Sequence, residues 1–179
     1  MANYCYNWIM FSGDPDTLKE IKNKMMLYNE YDYVAEWGNF ITGNKHDHYE
    51  SYGGRWFEFS IDYDEDSLVI QGDSAWTPMV GLVMEICEAY GVKGIIEYEE
   101  SGNDFGGMIS FDTDGGQIEE VNMSYGEWRY HNDPEEYFQY ELLDFVGDYE
   151  DYDSMVGDYK FLSDKHKQEL KHEFTRQIS

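Results

Sequence analysis

The chain has 179 residues, of which 38 are Asp or Glu and 12 are Lys or Arg, so its formal net charge is -26 at pH 7. Because such a surface repels phosphates, we expect no direct binding to nucleic acid or to anionic membranes. The first residues lack the basic start and apolar stretch of a signal peptide, and no apolar run is long enough to span a membrane. We therefore expect a protein of the cytoplasm, and its 41% apolar residues can fill one core.

The first half of the chain predicts a strand, a helix and a hairpin. Residues 5–11 alternate between the two faces of a strand, and Asp14-Pro15 has the N-cap and first-turn proline that begin a helix to about Tyr28. Residues 56–61 alternate again, and the turn at 62–67 leads into a return strand at 68–72. This half therefore has the order strand, helix, strand, strand.

The second half predicts another helix and three more strands. Thr77-Pro78 repeats the cap-and-proline pattern, and the helix should stop at Gly91. The predicted strands are residues 95–99, 107–111 and 117–123. The whole order is that of an α+β, ferredoxin-like split βαβ sheet with an extra C-terminal hairpin. The side chains expected in its core are Trp56, Phe57, Phe59, Trp76, Leu82, Ile86, Ile95 and Tyr98.

Several short motifs resemble one protein family. They are Met1-Ala2-Asn3-Tyr4-Cys5-Tyr6-Asn7, Ser12-Gly13-Asp14, Arg55-Trp56-Phe57, Asp73-Ser74-Ala75-Trp76-Thr77-Pro78, Glu97-Tyr98-Glu99-Glu100 and Asp104-Phe105-Gly106-Gly107. In these motifs the chain resembles the YubB-type ferredoxin-like proteins of conjugative plasmids and phages, over about residues 3–121. The resemblance implies a ferredoxin-like fold and an origin on mobile genetic elements, and it supplies no catalytic residues. We expect a ferredoxin-like domain at residues 1–123 and an acidic extension at 124–179.

The extension contains the most acidic stretch of the chain. Residues 133–159 carry ten carboxylates and no Lys or Arg, together with Tyr and Phe side chains that a disordered acidic tail would lack. Asp133-Pro134 predicts a helix to Val146, with Glu136 at the capping-box position and with Phe145 on the apolar face. The residues expected to contact a partner are Glu135, Glu136, Glu141, Asp144, Asp148, Glu150, Asp151 and Asp153.

A basic helix follows at residues 163–177. It begins at Ser163 or Asp164 and carries Lys165, Lys171 and Arg176, while its apolar stripe is narrow. Two interpretations stay open: the helix folds back onto the acidic surface or meets another subunit, or it is a plain solvated helix. The oligomeric state does not follow from the sequence.

Patterns that resemble reactive sites have simpler explanations. The carboxylates from Asp62 to Asp73 lack the glycine and the following helix of a calcium loop, and His46-Asp47-His48 lies in an exposed loop. His131, His166 and His172 have no evident partners in the sequence. The two cysteines, Cys5 and Cys87, suit buried reduced thiols. We therefore expect no metal, no cofactor and no disulfide.

Catalysis has little support in the sequence. No nucleophile and base have a recognisable spacing, and Glu97 and Glu99 should share one strand face with Tyr98 on the other. A hydrolase that uses this pair is the weakest of three hypotheses. The second is an adaptor that binds a protein or ligand through the sheet.

The favoured hypothesis is a non-enzymatic inhibitor encoded by a phage or plasmid. Its partner would be a basic nucleic-acid-binding protein or complex of a host defence system, such as a CRISPR effector or a restriction enzyme. Such proteins keep a Lys- and Arg-lined channel for DNA or RNA, and carboxylates can occupy this channel in place of phosphates. The protein would then act as an anti-CRISPR or anti-restriction DNA mimic.

Overall fold

The chain forms two units. The computed structural model describes residues 3–178, with side chains up to Arg176. Contacts divide the chain into a sheet unit that ends at Tyr125 and a helical unit that begins at Gly126. The strands are β1 Tyr4–Ser12, β2 Phe57–Tyr63, β3 Ser67–Ala75, β4 Lys93–Glu100, β5 Phe105–Phe111 and β6 Gln117–Met123. The helices are α1 Pro15–Met25, α2 Val34–Thr42, α3 Val80–Tyr90, α4 Tyr125–Asn132, α5 Pro134–Tyr140, α6 Tyr152–Asp158 and α7 Asp164–Ile178.

The sheet unit is ferredoxin-like. Its six strands are ordered β2-β3-β1-β4-β5-β6, and each neighbouring pair is antiparallel. The first four strands have the order of the split βαβ arrangement, in which β3 lies between β1 and β2. Strands β5 and β6 extend the sheet as the extra hairpin. The predicted fold class is confirmed.

Helix α3 begins later than its sequence indicates. Thr77 and Pro78 lie in a turn, and the helix starts at Val80 because the backbone N–H of Met79 donates to the Asn7 side chain, 2.9 Å away. Asn7 is buried on β1, so a side chain from a distant strand does the capping. The predicted end of this helix is confirmed, because Gly91 has the left-handed backbone (φ 65°) of a C-cap.

The core of the sheet unit differs from its prediction at three positions. Trp56 is half-buried and lies outside the core cluster. Trp76 is 39% exposed and has a left-handed backbone with a φ of 65°. Ile96, not Ile95, is fully buried, because β4 directs its even-numbered residues towards the helices. Helix α2, which was not predicted, packs against β2 through Trp37. It places Trp37 in a stack against Phe59, with ring centroids 5.5 Å apart.

The helical unit has a small core of its own. Its buried side chains come from helices α5, α6 and α7 and from the segments between them, and they are Tyr137, Phe138, Leu142, Val146, Met155, Leu162, Leu170 and Phe174. The predicted helix over 134–146 is interrupted at Glu141 and continues as a 3-10 helix, Leu142–Asp148. This interruption changes the helical phase, so Val146 is buried and Phe145 is exposed, contrary to the prediction.

No helix among residues 3–178 combines the length and apolar character of a membrane span.

Candidate interaction surfaces

Two short helices of the helical unit are held by aspartate caps. The Asp133 carboxylate accepts the backbone N–H of Glu136 at 2.9 Å, as the Asp-Pro pattern predicts. The Asp151 carboxylate accepts the N–H of Ser154 at 2.8 Å and so begins α6. Each carboxylate satisfies an N–H that a helix leaves unpaired and lies at the positive end of the helix dipole. Local stability therefore accounts for part of the negative charge.

The eight predicted contact residues fall into two groups. Three of them have partners within the unit. Glu135 pairs with Lys165, Glu141 pairs with Arg129, and Asp151 caps the N-terminus of α6. The other five are exposed and, within the described part of the chain, form no ion pair or side-chain hydrogen bond, and they are Glu136, Asp144, Asp148, Glu150 and Asp153. These five carboxylates are free to meet an external cation.

The engaged carboxylates hold basic side chains. Arg129 donates from Nε and Nη2 to one oxygen of Glu141, at 3.1 and 3.0 Å. Lys165 donates to Glu135, which lowers the pKa of that carboxyl, and the same contact raises the pKa of Lys165. Helix α7 thus folds back onto the first turn of α5, which supports the first of the two interpretations of the basic helix. Of the predicted apolar stripe of this helix, Leu170 and Phe174 are buried, and the side chain of Ile178 lies outside the described residues.

His166 has partners that the sequence did not reveal. Its ring is 2% exposed and stacks flat on Phe138, with ring centroids 4.4 Å apart and an interplanar angle of 9°. Its Nδ1 lies 2.9 Å from the hydroxyl of Tyr130, which also accepts the N–H of Ser163 at 2.8 Å. The Tyr130 hydroxyl can therefore donate to Nδ1. His166 is a core residue that joins α7 to α4 and α5.

A second acidic surface lies on the face of the sheet opposite α1 and α3. The strand registers place Glu58, Asp73, Tyr6 and Glu99 side by side in one row across β2, β3, β1 and β4. Glu97 lies on the same face two residues before Glu99, as strand alternation predicts. This row follows from cross-strand pairing, so it could be found only once the strand order was known.

Burial and mutual repulsion shape the chemistry of this row. The pKa of Asp73 is raised by desolvation and then by the nearby charge of Glu58. The pKa of Tyr6 is raised by desolvation and by the charges of Glu99, Asp73 and Glu97. Like charges opposite each other on neighbouring strands destabilise a sheet. The row thus concentrates negative charge on one face of the sheet at a cost in stability.

The patterns that resembled metal sites are used within the fold. His46 was expected in an exposed loop, but its Nε2 lies 2.7 Å from the buried carboxylate of Glu85, which also accepts Asn44 Nδ2 at 2.6 Å. At the hairpin tip, Asp64 accepts the N–H groups of Asp66 and Ser67, which lowers its pKa. Among the described residues, no three His, Cys, Asp or Glu side chains come together as metal ligands.

Both cysteines are buried free thiols, as predicted. Burial raises the pKa of Cys5 and of Cys87 to about 12, so both thiols are protonated at neutral pH. A protonated buried thiol is a poor nucleophile. Cys5 and Cys87 therefore act as small apolar side chains in the core of the sheet unit.

The sheet and its helices define a ferredoxin-like α+β protein with an acidic surface. In agreement, residues 55–139 match the family described as "Ferredoxin-like domain in Api92-like protein". The match starts just before β2 and extends past the predicted boundary at Met123 through α4 to Gln139, so it includes Glu135 and Glu136. The searches of curated proteins and of solved structures found no match.

Proposed function

We propose that this protein is a non-enzymatic inhibitor that occupies the basic nucleic-acid channel of a host defence complex. The observation that carries the proposal is a group of five exposed carboxylates of the helical unit that form no ion pair with any described residue, Glu136, Asp144, Asp148, Glu150 and Asp153. A folded core lies beneath them, so their charge is displayed on a shaped surface. A channel lined by Lys and Arg has the complementary charge.

The setting is part of the same proposal. The resemblance to YubB-type proteins of conjugative plasmids and phages supports an origin on a mobile element that must survive host defence. A CRISPR effector or a restriction enzyme in the host cytoplasm is then the natural target, since each must keep a basic channel open for DNA or RNA. The inhibitor needs no chemistry, because occupation of the channel is enough to exclude the substrate.

The binding energy should come from many weak contributions. An exposed ion pair is worth about 0–1 kcal/mol, so no single carboxylate dominates. The summed charge also speeds the encounter with a basic partner, and both effects weaken as salt screens the charges. Affinity should therefore fall steeply with salt concentration and change little with any single substitution.

Competition with labelled DNA tests the proposal. A guide-loaded Cas9-type effector and a panel of type II restriction endonucleases are each bound to a fluorescent duplex, and the protein is added at low and at high salt. We expect the protein to displace the duplex from at least one enzyme, with an affinity that falls as salt rises. Binding that leaves the DNA in place, or no displacement from any enzyme at low salt, would contradict the proposal.

An adaptor that uses the sheet is the second candidate. The row of Glu58, Asp73, Tyr6 and Glu99 favours it, because a stacked or hydrogen-bonded ligand could bind on that face. An adaptor complex should resist salt, which distinguishes it from the inhibitor complex. A hydrolase, by contrast, should lose its effect when Glu97 alone is changed to Gln.

A further inference from the structure

Strand β2 is an edge of the sheet whose charged side chains, Glu58 and Asp62, are both acidic. It runs for seven residues, Phe57–Tyr63, without Pro or Lys, and its pairing with β3 has no register shift. Edge strands in natural proteins are normally blocked by such residues or by bulges, because their free backbone groups attract another strand. The opposite edge, β6, pairs with β5 through a register shift and is almost fully exposed.

The hydrogen-bond pattern shows which backbone groups face outwards. The backbone N–H of Ala75 donates to the carbonyl of Trp56, and the N–H of Asp64 donates to the carbonyl of Ser67, so the even-numbered residues of β2 bond to the odd-numbered residues of β3. The odd-numbered residues of β2 therefore direct their backbone N–H and C=O groups away from β3. Phe57 already donates to the Tyr28 hydroxyl at 3.2 Å.

Phe59, Ile61 and the terminal residue Tyr63 are left with outward backbone groups. No other residue in the described chain hydrogen-bonds to these groups. In an added antiparallel strand, the residue opposite each of them can exchange two hydrogen bonds with it. These backbone groups are therefore sufficient to pair with an added strand.

A mostly apolar groove lies beside this free edge on the helix side. It has a volume of about 630 Å³, and its lining comprises the apolar and aromatic side chains Met25, Met26, Tyr28, Phe57, Phe59 and Ile61 and the polar side chains Lys22, Asn29 and Glu58. Met26 is 63% exposed there. Methionines adapt their shape to a bound side chain, so the groove can accept apolar side chains from an added strand.

The other face of β2 is acidic. Glu58 and Asp62 are exposed on it, two positions to either side of Ser60. Side chains of an added strand alternate between the two faces, so one set would enter the groove and the other would lie beside these carboxylates. The complementary segment therefore alternates apolar with basic residues.

We propose that the free edge of β2 binds an extended segment of a partner protein by strand addition, and that this segment alternates apolar residues with Lys or Arg. A second copy of the chain is a poor occupant, because pairing two β2 edges would bring Glu58 and Asp62 of each copy against those of the other. The proposal concerns the sheet unit. It is independent of whether the helical unit enters a nucleic-acid channel.

Amide exchange and peptide affinity test the proposal on the full chain. The probe is the capped peptide Lys-Ile-Lys-Val-Lys-Ile-Lys, and the control peptide, Lys-Ser-Lys-Ser-Lys-Ser-Lys, has the same charge. We expect the probe to slow exchange of the Phe59 and Ile61 amides and to bind about tenfold or more tightly than the control, because only the probe fills the groove.

A charge-reversed variant separates β2 from the general acidity of the protein. Glu58→Lys with Asp62→Lys should weaken probe binding about tenfold or more, since two attractions become repulsions. The variant should fold, because it removes the repulsion between Glu58 and Asp73. Glu119→Lys with Glu120→Lys makes the same charge change on β6 and should bind the probe nearly as well as the parent.

Three outcomes would overturn the proposal. The first is unchanged exchange at Phe59 and Ile61 with saturating probe. The second is equal affinity for the two peptides, or equal loss in the β2 and β6 variants, which would mean attraction to overall charge alone. The third is concentration-dependent dimerisation that protects the same amides without peptide, which would make a second copy the occupant.

Discussion

The two units differ in the size of the core that supports their surface carboxylates. In the sheet unit, one continuous core runs from β1 to β5 and includes α1, α2 and α3, and the surface carboxylates are spread around it. In the helical unit, the core is much smaller and comes from short helices, and ten carboxylates between Asp133 and Tyr159 surround it without a base in that stretch. A small core buries a smaller share of its surface and tolerates less repulsion.

The difference shows that the helical unit carries negative charge that lowers its stability. The helical unit offsets part of its repulsion with the Glu135–Lys165 and Glu141–Arg129 pairs and with two aspartate caps. It nevertheless keeps five exposed carboxylates that form no ion pair or side-chain hydrogen bond within the described chain. Such a surface is expected where charge serves binding, and the predictions below test how far the two units differ.

The largest effect is expected in the core of the sheet unit. Ile86→Asp should unfold this unit, because Ile86 is fully buried on α3 and an unpaired carboxylate there would cost about 4 kcal/mol or more. Met84→Asp is the matched control, since Met84 is 37% exposed on the same helix. Circular dichroism during heating should show a folded control and an unfolded Ile86 variant. Equal melting temperatures of the two variants would mean that α3 does not direct Ile86 into the core.

A smaller loss is expected in the core of the helical unit. Phe138→Ala should cost about 3–5 kcal/mol, because Phe138 is buried and stacks on His166. Phe145→Ala should cost far less, since Phe145 is 46% exposed. Amide hydrogen exchange should localise the loss to residues after Gly126. A loss that spreads equally through the strands would show that the two units unfold together.

Local signals explain which parts of the fold could be predicted. Asp14-Pro15 and Asp133-Pro134 predicted helix starts correctly, because each cap acts within three residues. The helix start predicted at Thr77-Pro78 was wrong, because the cap of α3 comes from Asn7 on β1. Helix α2 was missed because Tyr33 provides no side-chain cap and no proline marks its start.

Long-range pairing explains what the sequence missed in the candidate surfaces. The engagement of Glu135 and Glu141 depends on Lys165 and Arg129, which reach them through tertiary packing. The row that contains Tyr6 and Asp73 depends on the strand order. The sequence shows that the extension is acidic, but it does not show which of its carboxylates remain without a partner in the described chain.

Glu135 in the helical unit and Asp73 in the sheet unit should contribute to stability with opposite responses to acid. The pKa of Glu135 is lowered from 4.5 by the hydrogen bond from Lys165, so the stability from this pair is present above pH 4.5 and is lost as pH falls through the lowered pKa. The stability difference between the parent and Glu135→Gln should therefore vanish in acid. A difference that persists unchanged at low pH, measured by urea unfolding, would show that the pair is not the cause.

Asp73 should behave in the opposite way and with the smallest effect. Its pKa is raised, so its charge destabilises the fold above the raised pKa, and stability is regained as pH falls through it. Asp73→Asn should raise the free energy of unfolding at pH 7 by about 0.2–1 kcal/mol, after allowance for screening by water. Asp62→Asn is the control, because Asp62 lies opposite Val69. An equal gain in both variants would point to overall charge alone.

The central claim is that the free carboxylates of the helical unit make the contact with a basic target. Its most direct test compares two full-length variants that carry the same change in charge. One is Glu136→Lys, Asp144→Lys, Asp148→Lys and Asp153→Lys in the helical unit. The other is Asp32→Lys, Glu36→Lys, Glu65→Lys and Glu119→Lys in the sheet unit, at exposed positions.

Both variants are first checked for folding by circular dichroism and are then measured for displacement of DNA from the target at one salt concentration. We predict that the helical-unit variant loses displacement while the sheet-unit variant keeps most of it, because only the first reverses the charge at the contact. Full displacement by the folded helical-unit variant would contradict the account and would place the binding surface on the sheet unit.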